Sequence, residues 1–248
     1  MLVCKIIFRL DFRRLNFEIL DSPGKVMKIM HELGEEFWSE FQDSPPSRVL
    51  TAIFRDKEGC SQFRQLTVDP SMLNFMIEDA KGIELTGLES SESYVMIFKG
   101  IQALCDTFKI SELQRAGLRF FCLGSIGDNN TDLRSVFEKF IDDSLLGIIR
   151  TSIGGPEDYG IHLDGSDKDK IKYHLQFGPY AKEEARRYFE QVHEQITERM
   201  SGNFICDLDM YEENFALKYT RPIVWTKPLV TKAQKLTKGI EELISARL

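Results

Sequence analysis

The stretch Leu113-Gln-Arg-Ala-Gly-Leu-Arg-Phe-Phe-Cys-Leu-Gly124 alternates in a way that suits a strand. Successive strand side chains point to opposite faces, so Ala116, Leu118, Phe120 and Cys122 share one face and Arg115 and Arg119 the other. A sheet built around this strand must cover one apolar face and accommodate two guanidinium groups on the opposite one. Arginine is rarely buried without a carboxylate partner, so the rest of the chain has to supply acids at the right place.

Asp207 and Asp209 are the natural candidates. In residues 203–211, Phe204, Cys206, Leu208 and Met210 point one way and the two aspartates the other. If the apolar sets share a face, the aspartates stand beside Arg115 and Arg119. Opposite charges paired across strands are favourable by ~0.2–1 kcal/mol, and a bidentate fork raises that. A hairpin adds to the same face: Ile161 and Leu163 flank His162, while Tyr173, Leu175 and Phe177 alternate with Lys172, His174 and Gln176. A loop of Ser166–Lys170 keeps the apolar faces together and sets His162 directly opposite His174. The expected open face is therefore Arg115, Arg119, Asp207, Asp209, His162, His174, Lys172 and Gln176. It has three readings. The charges neutralise one another structurally, or the face holds an anion such as a phosphate-bearing ligand or nucleic-acid end, or it holds a divalent metal. The metal is least favoured because basic side chains crowd the area, and no metal or cofactor is assigned.

Along the chain, periods of two and 3.6 take turns. A strand is expected at 3–12, a helix at 25–41 opened by Ser22-Pro23, strands near 48–55, 63–69 and 72–78, and a helix at 91–108. After the arginine strand come a helix at 131–149, a hairpin at 158–164 and 170–177, a helix at 180–200 and a strand at 203–211. This is an α+β order of two ferredoxin-like (split βαβ) halves, 1–124 and 113–213, sharing the arginine strand. Residues 214–248 follow as an extended, Pro-punctuated linker over 219–228 and a helix with Leu229, Ala233, Leu236, Ile240 and Leu243 at 4-3-4-3 spacing. That seam either packs on its own domain or forms an interface with a twin or partner.

The chain of 248 residues carries a net charge of −7. Residues 214–248 hold seven basic side chains against two glutamates, a net +5, which leaves −12 for the remainder. An acidic body does not favour nucleic acid as the main partner, and the basic tail either binds a local anion or docks on the acidic body. No apolar run reaches the ~20 residues of a membrane span, and Lys5 and Arg9 interrupt the N-terminal run that a signal peptide needs. Five scattered cysteines read as reduced core thiols, so a cytoplasmic location is expected. His31-Glu-Leu-Gly-Glu35 lacks the second histidine of a zinc-protease helix, and Gly154-Gly155-Pro156 lacks the Lys-Ser/Thr of a phosphate loop. No catalytic residue is assigned, and the balance leans away from an enzyme.

Arg115-Ala-Gly-Leu-Arg-Phe120 and Asp207-Leu-Asp209 resemble the mid-chain Arg-x-Gly-Leu-Arg-aromatic-x-Asn strand and late Leu-Asp-x-Asp strand of a sporadically distributed, functionally uncharacterised family of bacterial proteins of about 250 residues. The match departs at Cys122, where that pattern has Asn. The resemblance implies no chemistry; sporadic distribution is associated with mobile or defence genes. The expected function is a non-enzymatic interaction or regulatory subunit acting through its C-terminal helix. The alternative is a binding protein or enzyme for a phosphate-bearing ligand at the Arg/Asp/His face.

Overall fold

Nine antiparallel strands form one continuous sheet in the computed structural model, which describes residues 1–33, 38, 40–44, 49–55, 62–127, 131–152, 154, 156, 159–199, 202–217 and 220–248. They are β1 (Leu2–Phe12), β2 (Glu40–Ser44), β3 (Val49–Arg55), β4 (Gln62–Val68), β5 (Met72–Ile83), β6 (Leu113–Gly124), β7 (Ile161–Ser166), β8 (Lys172–Pro179) and β9 (Phe204–Glu213). Their order is β2-β3-β4-β5-β1-β6-β9-β8-β7. The arginine strand β6 thus lies at the centre, between β1 and β9.

Each half consists of a leading strand, a helical segment, and a meander whose last strand returns to pair with the leader. β5 returns to β1, and β9 returns to β6. This differs from the ferredoxin order, which would set β8 beside β6. That side of β6 is taken by β1, so β8 pairs with β9 instead. The observed sheet is antiparallel throughout.

One sheet face carries the main core. Helices α1 (Glu18–Asp21), α2 (Pro23–His31), α3 (Glu92–Thr107), α4 (Leu133–Glu138), α5 (Asp143–Ser152) and α8 (Pro222–Ser245) contribute to it. Phe8 of β1 meets Phe98 of α3 edge-on at 4.8 Å and lies 6.4 Å from the Trp225 ring of α8. A second, smaller core lies on the opposite face, where α6 (Ala185–Tyr188) and α7 (His193–Arg199) cover Cys4, Phe63, Met76, Phe121, Leu123 and Ile205. A bulge at Val3–Lys5 in β1 brings Lys5 beside Glu78 on that face. The two form an ion pair of 2.9 Å, with side chains only 4% and 0% exposed. The Glu78 carboxylate also accepts from the backbone N–H groups of Glu190, Gln191 and Val192 at 3.0, 2.8 and 3.3 Å.

Several expected helices are shorter, for identifiable reasons. The 25–41 pattern supplies α2 only as far as His31, and Phe41 belongs to β2, opposite Ala52; residues 34–37 and 39 of that expectation lie outside the described residues. The 131–149 helix divides because Asp142 starts a new one, accepting from Ser144 N–H at 2.9 Å. The 180–200 helix is interrupted where three of its N–H groups turn to Glu78. The tail changes in the other direction. Residues 222–228 are helical, with Pro222 in the first turn, where proline is tolerated, and Pro228 inside. Burial of Trp225, Leu229, Val230 and Ala233 offsets the ~3 kcal/mol that an interior proline costs.

The C-terminal seam is corrected by this packing. Leu229, Ala233 and Ile240 are buried in their own body, Leu236 is half-buried, and Leu243 faces outward. The inward line runs through Leu229, Ala233, Thr237, Ile240 and Ile244, with mostly four-residue steps. That is the pattern of an amphipathic helix packed on its own domain rather than a heptad seam. The basic helix also docks on the acidic body: Lys232 pairs with Asp167 and, at 3.0 Å, with Asp169. Among the described residues, no helix is long and apolar enough to cross a membrane.

Cys4, Cys105, Cys122 and Cys206 are buried and form no disulfide among the described residues; Cys60 lies outside them. Burial pushes the thiols of Cys4, Cys105 and Cys206 up to about 12 and that of Cys122 well above its ordinary value. The native state therefore keeps protons that the unfolded chain releases above pH ~8.5. Their contribution is complete below that value and declines as pH rises toward 12. Stability measured by urea unfolding should fall by up to ~1.4 kcal/mol per thiol per pH unit in this window. Cys105→Ala should reduce the slope; an unchanged slope would contradict this origin.

Candidate functional site

The uncovered part of the second sheet face gathers most of the charged residues singled out in the sequence. Arg119 makes a bidentate bridge to Asp207, Nε to Oδ1 at 2.8 Å and Nη2 to Oδ2 at 2.6 Å. Arg115 Nη2 reaches Asp209 Oδ2 at 2.6 Å. Both pairs are diagonal, because the residues directly opposite are Asp209 for Arg119 and Glu213 for Arg115. Each guanidinium also lies over a ring: Arg115 over Tyr211 at 4.3 Å and Arg119 over Phe121 at 4.7 Å. Gly117 sits beneath the Arg115 fork; a Cβ there would approach Arg115 Nε at 3.6 Å and Tyr211 Cβ at 3.4 Å. Lys172 is paired with Glu213 at 2.7 Å.

The Asp207 hydrogen bonds raise the Arg119 pKa, so its charge is fixed. The pairs are half-exposed rather than buried, with Arg119 at 42% and Arg115 at 31%. Solvent screening then limits each to the order of 1 kcal/mol or less. Arg119→Ala should lower urea-unfolding stability by about that amount, far short of the ~3–5 kcal/mol lost when a buried pair is broken. A loss above ~3 kcal/mol would show that the face is covered in solution.

The hairpin register differs from the expected one. Asp164, not His162, lies opposite His174, and His162 lies opposite Gln176. The loop is set by Asp167, whose side chain accepts from the N–H groups of Asp169 at 2.8 Å and Ile171 at 3.0 Å. Lys170 takes φ 65°, and the strands resume at Lys172. The shift brings Asp164 between the two histidines. It contacts His174 Nδ1 and lies 3.3 Å from His162 Nε2, and these bonds hold its carboxyl below the usual range. His174 is stacked on Tyr211, ring centres 5.4 Å apart and 24° between planes, with Tyr211 Oη at 3.2 Å from its Nε2. The sequence reading missed Asp164 and Tyr211. Their alternation with Leu163 and Met210 placed them on this face, but not opposite these partners.

A second feature lies at the end of β1, continuous with the face through Arg9, Asp11 and Arg115. A cleft of about 710 Å³ there is lined by these three residues with Arg13, Leu15 and Glu213 among others. A neighbouring one, of about 440 Å³, includes Arg14, Phe17, Lys109 and Glu112. The turn is firmly held: Asn16 donates its backbone N–H to Pro70 O and its side-chain amide to Phe108 O, both at 2.7 Å. This anchoring leaves Leu15 59% and Phe17 60% exposed. The signal for this site was present in Arg13-Arg14-Leu15-Asn16-Phe17, a polar turn with two large apolar residues. It follows neither period and so escapes a search for elements. In comparisons with known proteins, the chain matches no family model and no curated protein sequence.

Proposed function

We propose that this chain is a non-enzymatic interaction subunit that docks an acidic protein surface on the β1 end of its open face. The observation that carries this reading is the pair Leu15 and Phe17, held more than half exposed by an anchored turn and rimmed by arginines. Aromatic and arginine side chains around an apolar anchor are what protein interfaces use for their strongest contacts. The two clefts bring together Arg9, Arg13, Arg14, Lys109 and Arg115 against Asp11, Glu112 and Glu213, a local excess of positive charge on an acidic chain. An acidic protein segment complements that rim. Nucleic acid fits less well, since the whole chain carries −7.

A phosphate-bearing ligand at Arg115 and Arg119 has less support, because each fork would have to leave its carboxylate. The resemblance carried by Arg115–Phe120 and Asp207–Asp209 would set such a subunit in a bacterial defence or mobile-element system.

The test is capture of a stoichiometric protein partner by tagged chain in the native host, repeated with Leu15→Asp and Phe17→Asp. Both side chains are exposed, so stability should change by no more than ~0.5 kcal/mol. Capture should fall at least tenfold with Phe17→Asp and weaken with Arg14→Glu. A partner retained equally by Phe17→Asp, or no stoichiometric partner at all, overturns the reading.

A further inference from the structure

We propose that the β7–β8 hairpin carries a binding site for a divalent transition-metal ion, with His162, Asp164 and His174 as its protein ligands. The site goes beyond the docking function and does not depend on it.

The backbone supplies the arrangement. His162 and Asp164 are two residues apart on β7 and therefore share a face, and His174 stands directly across from Asp164 on β8. One donor atom from each of the three lies within 4.8 Å of the others. Bonds of ~2.1 Å around a tetrahedral ion need donors about 3.4 Å apart. His162 Nε2 and Asp164 Oδ1 are already at 3.3 Å, and all three side chains are exposed enough to close on an ion. Two imidazoles and a carboxylate suit zinc, cobalt, nickel or iron(II) better than calcium or magnesium.

The surroundings have the form a metal site requires. A ligating histidine places its other nitrogen against a fixed partner, which sets tautomer and ring orientation. With Nδ1 toward the ion, His174 Nε2–H donates to Tyr211 Oη at 3.2 Å, while stacking on the Tyr211 ring holds the plane. Basic residues crowd the face, but each is engaged: Arg115 with Asp209, Arg119 with Asp207 and Lys172 with Glu213. Among the described residues, Asp164 contacts histidines and no lysine or arginine. It is therefore the carboxylate on this part of the face open to a cation. Three protein ligands leave at least one coordination position for water or for a group from a bound partner.

The experiment uses tag-free full-length chain, stripped with chelator and titrated with zinc and with cobalt(II). Binding is followed by equilibrium dialysis and by the visible absorption of tetrahedral cobalt. One ion per chain is expected, with nitrogen and oxygen rather than thiolate character in the cobalt spectrum. His174→Ala and Asp164→Asn should each weaken binding at least tenfold. Tyr211→Phe should weaken it about tenfold through loss of the outer hydrogen bond, and Arg119→Ala should leave it unchanged. Thermal unfolding of the metal-free variants shows whether the hairpin remains folded. Absence of binding at micromolar metal, or binding unaffected by both ligand variants, overturns the proposal.

Discussion

Replacing Glu78 with alanine should destabilise the protein by about 3–5 kcal/mol, the usual loss when one partner of a buried ion pair is removed. The change leaves the Lys5 ammonium, 4% exposed, without the carboxylate 2.9 Å away. It also deprives the N–H groups of Glu190, Gln191 and Val192 of their acceptor at the start of α7. Among the described residues, Lys5 then keeps the Tyr188 carbonyl at 3.3 Å, the exposed Glu190 carboxylate at 3.4 Å and the Phe121 ring at 5.7 Å. Against a total stability of 5–15 kcal/mol, such a loss is large. Glu78→Gln should be milder at the N–H groups but still removes the buried negative charge beside the ammonium. The double variant Lys5→Met/Glu78→Met should recover part of the loss, since neither buried charge of the pair remains. Urea unfolding of the four proteins decides the matter, and a loss below 1 kcal/mol for Glu78→Ala would show that the pair is hydrated in solution.

Removal of residues 222–248 should abolish cooperative folding altogether. On the heptad reading, loss of 229–248 would have removed an interface and left the body intact. In the structure, α8 instead closes the main core: Trp225, Leu229, Val230, Ala233, Ile240 and Ile244 are all buried against their own chain. Burying large apolar side chains contributes ~1.5–3 kcal/mol each, so the helix accounts for an amount comparable to the whole stability. The truncated chain should lose near-UV circular dichroism and bind a hydrophobic dye. Val230→Asp, which puts an unpaired charge at a fully buried position, should reproduce much of that loss in the full-length chain. A truncated protein that still melts cooperatively would contradict this role.

How much could be read from the residues alone depends on distance along the chain. The bounds of β6 coincide with the alternating stretch 113–124, and β1, β4, α3 and β9 lie within a few residues of their expected limits. The open-face membership of Arg115, Arg119, Asp207 and Asp209 also followed from alternation. Which arginine meets which aspartate did not, because the diagonal pairing depends on side-chain reach across Gly117 and Tyr211. Asp164 was overlooked for a similar reason. The hairpin register depends on hydrogen bonds accepted by the Asp167 side chain within the loop, and the resulting slip of two residues changes every partner while keeping the faces.

Within a strand or helix, then, residue order alone settled which side chains share a face, because backbone geometry repeats every two or 3.6 residues whatever surrounds it. Three features were decided only by the assembled molecule. β1 rather than β8 flanks β6, α8 is absorbed into the core, and the 180–200 helix is interrupted at Glu78. Each outcome is a competition among segments far apart in the chain for one sheet edge, one apolar surface or one buried carboxylate. A local period carries no information about which competitor wins.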